Sequence, residues 1–194
     1  IDFVVHSTTK YLNGHGTGTA GVVVSQDEER MTGALLNKMR LLGSNASPWE
    51  SWLLHNGMKT LALRMERHCQ NAQLVAEMLQ SLPKVERVNY LGLPEHPDFE
   101  LAQQQMQGPG GMISFELQGG LEAGKAFMNK LQFCTLTPTL GDVDTLVLHP
   151  ATMSHRAIAP EVRRAHGISD GLVRISVGIE DVADILSDLE QAIG

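Results

Sequence analysis

The stretch Ser7-Thr8-Thr9-Lys10 sets one amine beside three hydroxyls, just after the run Ile1-Asp2-Phe3-Val4-Val5. Residues Asp2 to Val5 read as a buried strand, so Lys10 stands at a strand's carboxyl end, where open α/β sheets place their ligands. In an extended chain Ser7 and Thr9 point to one side and Lys10 to the other. Two hydroxyls on one side suit a phosphate, and an amine on the other suits an aldehyde. A small ligand with both groups at opposite ends, such as pyridoxal phosphate, matches that spacing. A desolvated lysine can form a Schiff base with the aldehyde, and once displaced the same amine can move protons. A solvated loop lysine is the plain alternative, and the spacing leaves both readings open.

Two other patterns imitate catalytic motifs. Gly16-Thr17-Gly18-Thr19-Ala20-Gly21 spells G-x-G-x-x-G, but a dinucleotide fingerprint must follow a strand and open a helix. Here it runs into Val22-Val23-Val24, a strand, so the glycines read as a tight, close-packed loop. Gly167-Ile168-Ser169-Asp170-Gly171 spells G-x-S-x-G in the order helix, turn, strand, the reverse of a nucleophile elbow, which makes Ser169 a turn residue. The eight histidines show no metal-binding spacing, and no metal is expected. The two cysteines, Cys69 and Cys134, lack C-x-x-C spacing and read as buried thiols of a reducing, cytoplasmic setting.

The elements that must position Lys10 alternate short apolar runs with longer 3.6-period segments, an α/β pattern. Strands are expected over Asp2 to Val5, Gly21 to Ser25, Val85 to Leu91, Met112 to Leu117, Thr145 to Leu148 and Leu172 to Val177. Helices are expected after Asp27, from Ser47 with Pro48 at its first position, and over Pro97 to Met106, Glu122 to Leu131, Pro160 to His166 and Asp181 to Ile193. A long helix over Lys59 to Leu82 is expected to bury Leu61, Leu63, Met65, Cys69, Ala72, Val75, Ala76 and Leu79. The last helix carries Val182, Ile185, Leu186, Leu189 and Ile193 as its stripe. The change from glycine-rich alternation to long helices between residues 44 and 60 marks a domain boundary, dividing the chain into 1-58 and 59-194. A strand such as Asp2 to Val5 needs neighbours on both sides, so the chain reads as the back part of a longer protein. With 194 residues it can bury a core, and a net charge of -7 argues against nucleic acid or an anionic membrane as partner. No apolar run is long enough to span a bilayer as a helix.

Residues 4-16, "VVHSTTKYLNGHG", closely resemble the lysine motif of the Cys/Met-metabolism family of pyridoxal-phosphate enzymes. That family includes cystathionine γ-synthase, the cystathionine γ- and β-lyases, methionine γ-lyase and the homoserine sulfhydrylases. "NGMKTLALRMERHCQNA" (56-72) is similar to its linker helix and "PGGMISFEL" (109-117) to a strand of its C-terminal domain. "TLGDVDTLVLHPATMSH" (139-155) resembles the segment lining its substrate site, and "GISDGLVRISVGIEDVADILSDL" (167-189) its closing strand and helix. The likeness covers essentially the whole chain. It implies the type I aminotransferase-like α/β fold, with residues 1-58 ending the large cofactor-binding domain and 59-194 forming the C-terminal α/β domain.

By position, the resemblance makes Lys10 the Schiff-base lysine and Ser7 and Thr9 phosphate ligands of pyridoxal 5'-phosphate. It makes Arg174 the grip on the α-carboxylate of an amino-acid substrate, for which a planar bidentate cation is well suited. Thr139 and Leu140 take substrate-binding places, Thr139 standing where the family usually has serine. Asn56 replaces an arginine common before Gly57, a departure with no physical account. Enzymes handling cystathionine commonly carry glutamate where this chain has Pro138, and Leu140-Gly141-Asp142 is similar to methionine γ-lyases. The resemblance therefore points to γ-elimination of L-methionine or related substrates, giving a thiol, a 2-oxo acid and ammonia. Cystathionine γ-lyase, cystathionine γ-synthase and homoserine sulfhydrylase are the alternatives. The family's partner for the pyridine nitrogen and its ring-stacking tyrosine lie upstream of the segments matched here. The resemblance thus implies a C-terminal fragment, nearly inactive alone, of a cytoplasmic tetramer built from dimers. A relative kept only as an interaction module is the reading from another class.

Overall fold

Val4–Ser7 (β1) and Gly21–Val24 (β2) pair antiparallel, Val5 opposite Val23 and Ser7 opposite Gly21. These strands belong to the first of two compact units, Ile1–Leu61 and Ala62–Gly194, in a computed structural model that describes all of residues 1–194. After β2, the Asp27 carboxylate accepts the N–H of Arg30 at 2.9 Å. A π-helical segment, Arg30–Leu35, then leads into α1, Leu36–Leu42, which stops at Gly43 with φ of 74°. Helix α2, Pro48–Met58, starts with a capping box. The Ser47 hydroxyl accepts the Glu50 N–H at 3.1 Å, and Glu50 accepts the Ser47 N–H at 3.2 Å.

The second unit opens on the long helix α3, Leu61–Ser81, and runs through β3 (Val85–Asn89), α4 (Phe99–Gln105), β4 (Met112–Leu117) and α5 (Gly120–Lys130). It continues with β5 (Thr135–Leu136), β6 (Leu146–Leu148), α6 (Pro160–Ala165), β7 (Leu172–Ser176) and α7 (Val182–Ile193). Its five strands lie in the order β3-β4-β7-β6-β5, all neighbours antiparallel except the parallel pair β5 and β6. Strand β4 alternates strictly, burying Ile113, Phe115 and Leu117. They join Val173 and Ile175 of β7, Val75 and Leu79 of α3, and Ile185 and Leu189 of α7 in one core. Phe115 meets Phe127 of α5 edge to face at 5.7 Å. The opposite face of β4 and β7 carries Ser114 and Arg174, which are paired in register.

Strand β1 pairs with β2 and is exposed at every residue, since a two-stranded ribbon covers neither of its faces. Two expectations need correction. Helix α3 turns Arg64, His68 and Asn71 inward ahead of Ala72, Val75, Ala76 and Leu79, while Leu63 is 71% exposed. The real stripe follows the 3.6-residue period through polar positions, and an apolar pattern cannot see those. Cys69 is only half-buried, while Cys134 is buried; both are free thiols. Burial, and then the nearby Asp188 carboxylate, pushes the Cys134 thiol well above its ordinary value.

Candidate active site

The chain leaves β1 at Ser7 and turns at once. The Lys10 N–H reaches the Ser7 carbonyl at 3.5 Å, the Asn13 N–H the Thr8 carbonyl at 3.1 Å, and the Gly14 N–H the Lys10 carbonyl at 2.8 Å. Residues 8-13 are therefore a wound turn, and the extended geometry that would set Ser7 and Thr9 on one side of Lys10 does not exist. Ser7 keeps its exposed place at the strand end. Thr9 is anchored across the ribbon, where its hydroxyl accepts the Ala20 N–H at 3.1 Å and lies 3.3 Å from the Ala20 carbonyl. The Thr8 N–H donates to the same carbonyl at 2.9 Å. The start of the Lys10 turn is thus tied to Ala20, the residue just before β2.

The glycine-rich run builds the floor of this turn. Gly14 and Gly16 have φ of 71° and 62°, a left-handed conformation that glycine adopts without strain. Asn13 is buried, its amide donates to the Thr17 hydroxyl at 3.1 Å, and its carbonyl accepts from His15 Nδ1 at 2.7 Å. Gly57 of α2 presses against the Asn13 backbone so closely that a Cβ there would overlap the Asn13 carbonyl. Glu50, already part of the α2 capping box, accepts the Thr19 N–H at 3.3 Å. Asn56 lines a groove of about 500 Å³ with Asn13, Thr17 and Trp52.

Arg174 belongs to the second unit. It stands in the middle of β7, half-buried, on the wall of a groove of about 440 Å³ that also includes Met112, Ser114, Leu148 and Leu172. Its Nη2 donates to the Pro138 carbonyl at 3.0 Å and to the Thr139 carbonyl at 2.8 Å. Two carbonyls on one nitrogen fix the plane of the guanidinium, a group whose planar fork matches the geometry of a carboxylate. The loop supplying them contains Pro138, Thr139, Leu140 and Gly141, and Gly141 turns it with φ of 78°. The sequence expectation put Thr139 at a place whose backbone contacts substrate or cofactor, and here its backbone carbonyl is turned to Arg174. Ser7 at the end of β1 and Thr9 and Lys10 in the turn that follows it lie together in the first unit, and Thr139, Leu140 and Arg174 share one patch of the second.

The polar groups beneath this patch went unnoticed in the sequence. Arg64 and His68 are buried in α3, and His68 Nδ1 donates to the Val177 carbonyl at 2.7 Å, just past β7. Burial lowers the pKa of His68 and of Arg64, and the charge of Asp142, next to Gly141 in the loop, opposes the shift in both. The Ser176 hydroxyl accepts the Gly141 N–H at 2.8 Å. A serine at alternate spacing from Arg174 in a strand is the only signal that could have pointed to it. The G-x-S-x-G decoy lies between α6 and β7, where Ser169 donates to Glu116 at 3.0 Å.

A family model described as Cys/Met metabolism PLP-dependent enzyme matches residues 1–194. An L-methionine gamma-lyase of Porphyromonas gingivalis is 52% identical over 192 residues, 99% of this chain and 48% of the relative. A cystathionine beta-lyase of Coxiella burnetii is 45% identical over 193 residues, 100% of this chain and 50% of the relative. Among solved structures, cystathionine gamma synthase of Xanthomonas oryzae pv. oryzae, in complex with aminoacrylate and cysteine, superposes with a TM-score of 0.93. It is 44% identical, and the match covers 99% of this chain and 49% of that one. The chain spans about half the length of these relatives. With a family model matched from its first residue to its last, the chain belongs to the pyridoxal-phosphate-dependent enzymes of cysteine and methionine metabolism.

Proposed function

We propose that the whole protein is a pyridoxal-phosphate enzyme that eliminates the γ-substituent of L-methionine or a related amino acid, consuming water and releasing a thiol, a 2-oxo acid and ammonia. The observation that carries this reading is the Pro138–Gly141 loop, whose carbonyls orient Arg174 while Pro138 brings no polar side chain for the distal end of a substrate. The 52% identity to an L-methionine gamma-lyase supports it.

The donor set of the Lys10 turn fits the cofactor. It offers one amine, an exposed hydroxyl at Ser7 and a Thr9 hydroxyl whose oxygen is already oriented by the Ala20 N–H. Lys10 would hold the cofactor covalently through its ε-nitrogen, and Ser7 and Thr9 would hold its phosphate. Bound there, the cofactor supplies an electron sink for the bond broken at the substrate α-carbon. Arg174 would grip the substrate carboxylate with its charge-assisted fork. The Lys10 amine, once the substrate amine has taken its place, would move the α-proton. Residues 1-58 would close the cofactor domain and 59-194 would form the C-terminal domain. These residues alone would be nearly inactive. The whole protein would be a cytoplasmic homotetramer, and no helix in this chain is long and apolar enough to cross a membrane.

Release of 2-oxo acid by the whole protein from L-methionine, cystathionine and O-succinylhomoserine tests the assignment. A kcat/KM for methionine at least about tenfold above that for cystathionine is expected, since contacts at one side-chain subsite discriminate by about 10- to 200-fold. Preference for cystathionine would assign the protein to the lyases or synthases that act on it.

A further inference from the structure

Ser176 is fully buried at the end of β7, between Met112 of β4 and Leu146 of β6. It lies two residues past Arg174, so both side chains leave the strand on the same face, away from the apolar side chains of Val173 and Ile175. A hydroxyl buried in a sheet needs a partner, and this one accepts the Gly141 N–H at 2.8 Å. Arg174 meanwhile donates to the carbonyls of Pro138 and Thr139 at 3.0 and 2.8 Å. Alternate residues of one strand thus bind both ends of a single four-residue loop with opposite polarity: the arginine takes carbonyls and the serine oxygen takes an N–H. This arrangement fixes the direction of the loop's peptides. If the 140–141 peptide rotated, the Gly141 N–H would leave Ser176, and the carbonyls that orient Arg174 would be released to move.

We infer that Ser176 is a positioning residue for carboxylate recognition, acting through the Pro138–Gly141 loop to hold the Arg174 guanidinium in its binding plane. The inference rests on the reading that Arg174 grips the substrate carboxylate. Ser176 touches no substrate in this account. Its effect belongs in the affinity for the amino acid and depends entirely on the arginine.

The test uses the whole protein with Ser176→Ala, Arg174→Ala and the double variant. Ser176→Ala raises KM for the amino-acid substrate about tenfold with kcat within about threefold, the loss expected for one hydrogen bond. In the Arg174→Ala background the serine substitution adds nothing, because the group it positions is gone. Deuterium exchange of the segment 137–142 accelerates in Ser176→Ala. Should the alanine variant fold poorly, Ser176→Cys fills the site with a slightly larger side chain and a weaker acceptor and shows a smaller KM rise in the same direction. An unchanged KM in the folded variant, a fall in kcat alone, or an equal effect with and without Arg174 overturns the inference. If Arg174→Ala raises KM and Ser176→Ala does not, only the positioning role falls. If Arg174→Ala leaves KM unchanged, the carboxylate assignment fails and the inference fails with it.

Discussion

Every buried hydrophobic side chain, from Ala72 to Ile193, lies in the second unit, whereas the buried residues of the first are Thr8, Asn13, Gly14 and Gly57. The two units position Arg174 and Lys10 by different physical means. Around Arg174 the sheet is backed by an apolar core, and the guanidinium plane follows from strand register plus one stapled loop. Around Lys10 the position comes from backbone hydrogen bonds, left-handed glycines and the contact of Gly57 with Asn13. A core resists perturbation through buried area, at roughly 25 cal/mol per Å². A polar turn resists it through a few bonds worth about 1 kcal/mol each. Within these residues, Lys10 is held by hydrogen bonds and one close backbone contact, and Arg174 by a strand backed by an apolar core.

Substitutions can sharpen or break this contrast. The largest effect is expected at Lys10. Lys10→Ala should lower turnover by roughly 10³-fold or more, about 4 kcal/mol in the barrier, with the melting temperature almost unchanged. Assays of thiol release beside calorimetry would show it. Phe115→Ala should do the reverse: a cavity against Phe127 costs about 3–5 kcal/mol of stability, while molecules that remain folded turn over normally. Urea titration of the whole protein, with activity normalised to folded fraction, separates the two quantities. Gly57→Ala comes next, because its methyl must displace the Asn13 backbone. A cost of about 1–3 kcal/mol is expected, together with a loss of activity, since the displaced turn carries Lys10. If Gly57→Ala were as harmless as an ordinary surface change, close backbone contact would not be what holds the first unit.

The smallest effect is a pH dependence confined to the second unit. His68 and His149 are fully buried, and burial lowers both pKa values below the ordinary 6.5. His149 donates from Nε2 to the Asp170 carbonyl at 2.9 Å, so the neutral ring accepts at Nδ1 from the Thr152 hydroxyl. As pH falls through 6.5 the unfolded chain takes up protons that the folded one refuses, and stability falls with pH until the depressed folded values are passed. Melting at pH 7.5 and 5.5 should show this loss, and His149→Gln should flatten the slope. An unchanged slope would mean that His149 is not held neutral.

How much of this could be read from the sequence depends on which physical signal each region uses. Strand β4 was legible to the residue, because one face is dry and the other is not. The α2 start was legible through Ser47, Pro48 and Glu50, whose roles are local. Helix α3 was found, but its buried face was drawn through Leu63 instead of Arg64 and His68, since hydrophobic periodicity cannot register buried polar groups satisfied by distant carbonyls. The two-residue β5 lacks any periodicity of its own. The type and place of Lys10 were legible from the motif, yet the turn around it was not. Ser-Thr-Thr-Lys favours an extended strand locally, and only Ala20, ten residues on, and the carbonyls within the turn wind it up. Ser176 escaped because a serine in a strand acquires meaning only when the loop it binds is in place.

The account stands or falls on which lysine holds the cofactor. Loading the whole protein with pyridoxal phosphate, trapping with borohydride and mapping the labelled peptide by mass spectrometry answers this directly. A pyridoxyl label on Lys10, lost in Lys10→Ala, is the predicted result; a label on another lysine of this chain, with turnover retained in Lys10→Ala, would contradict it.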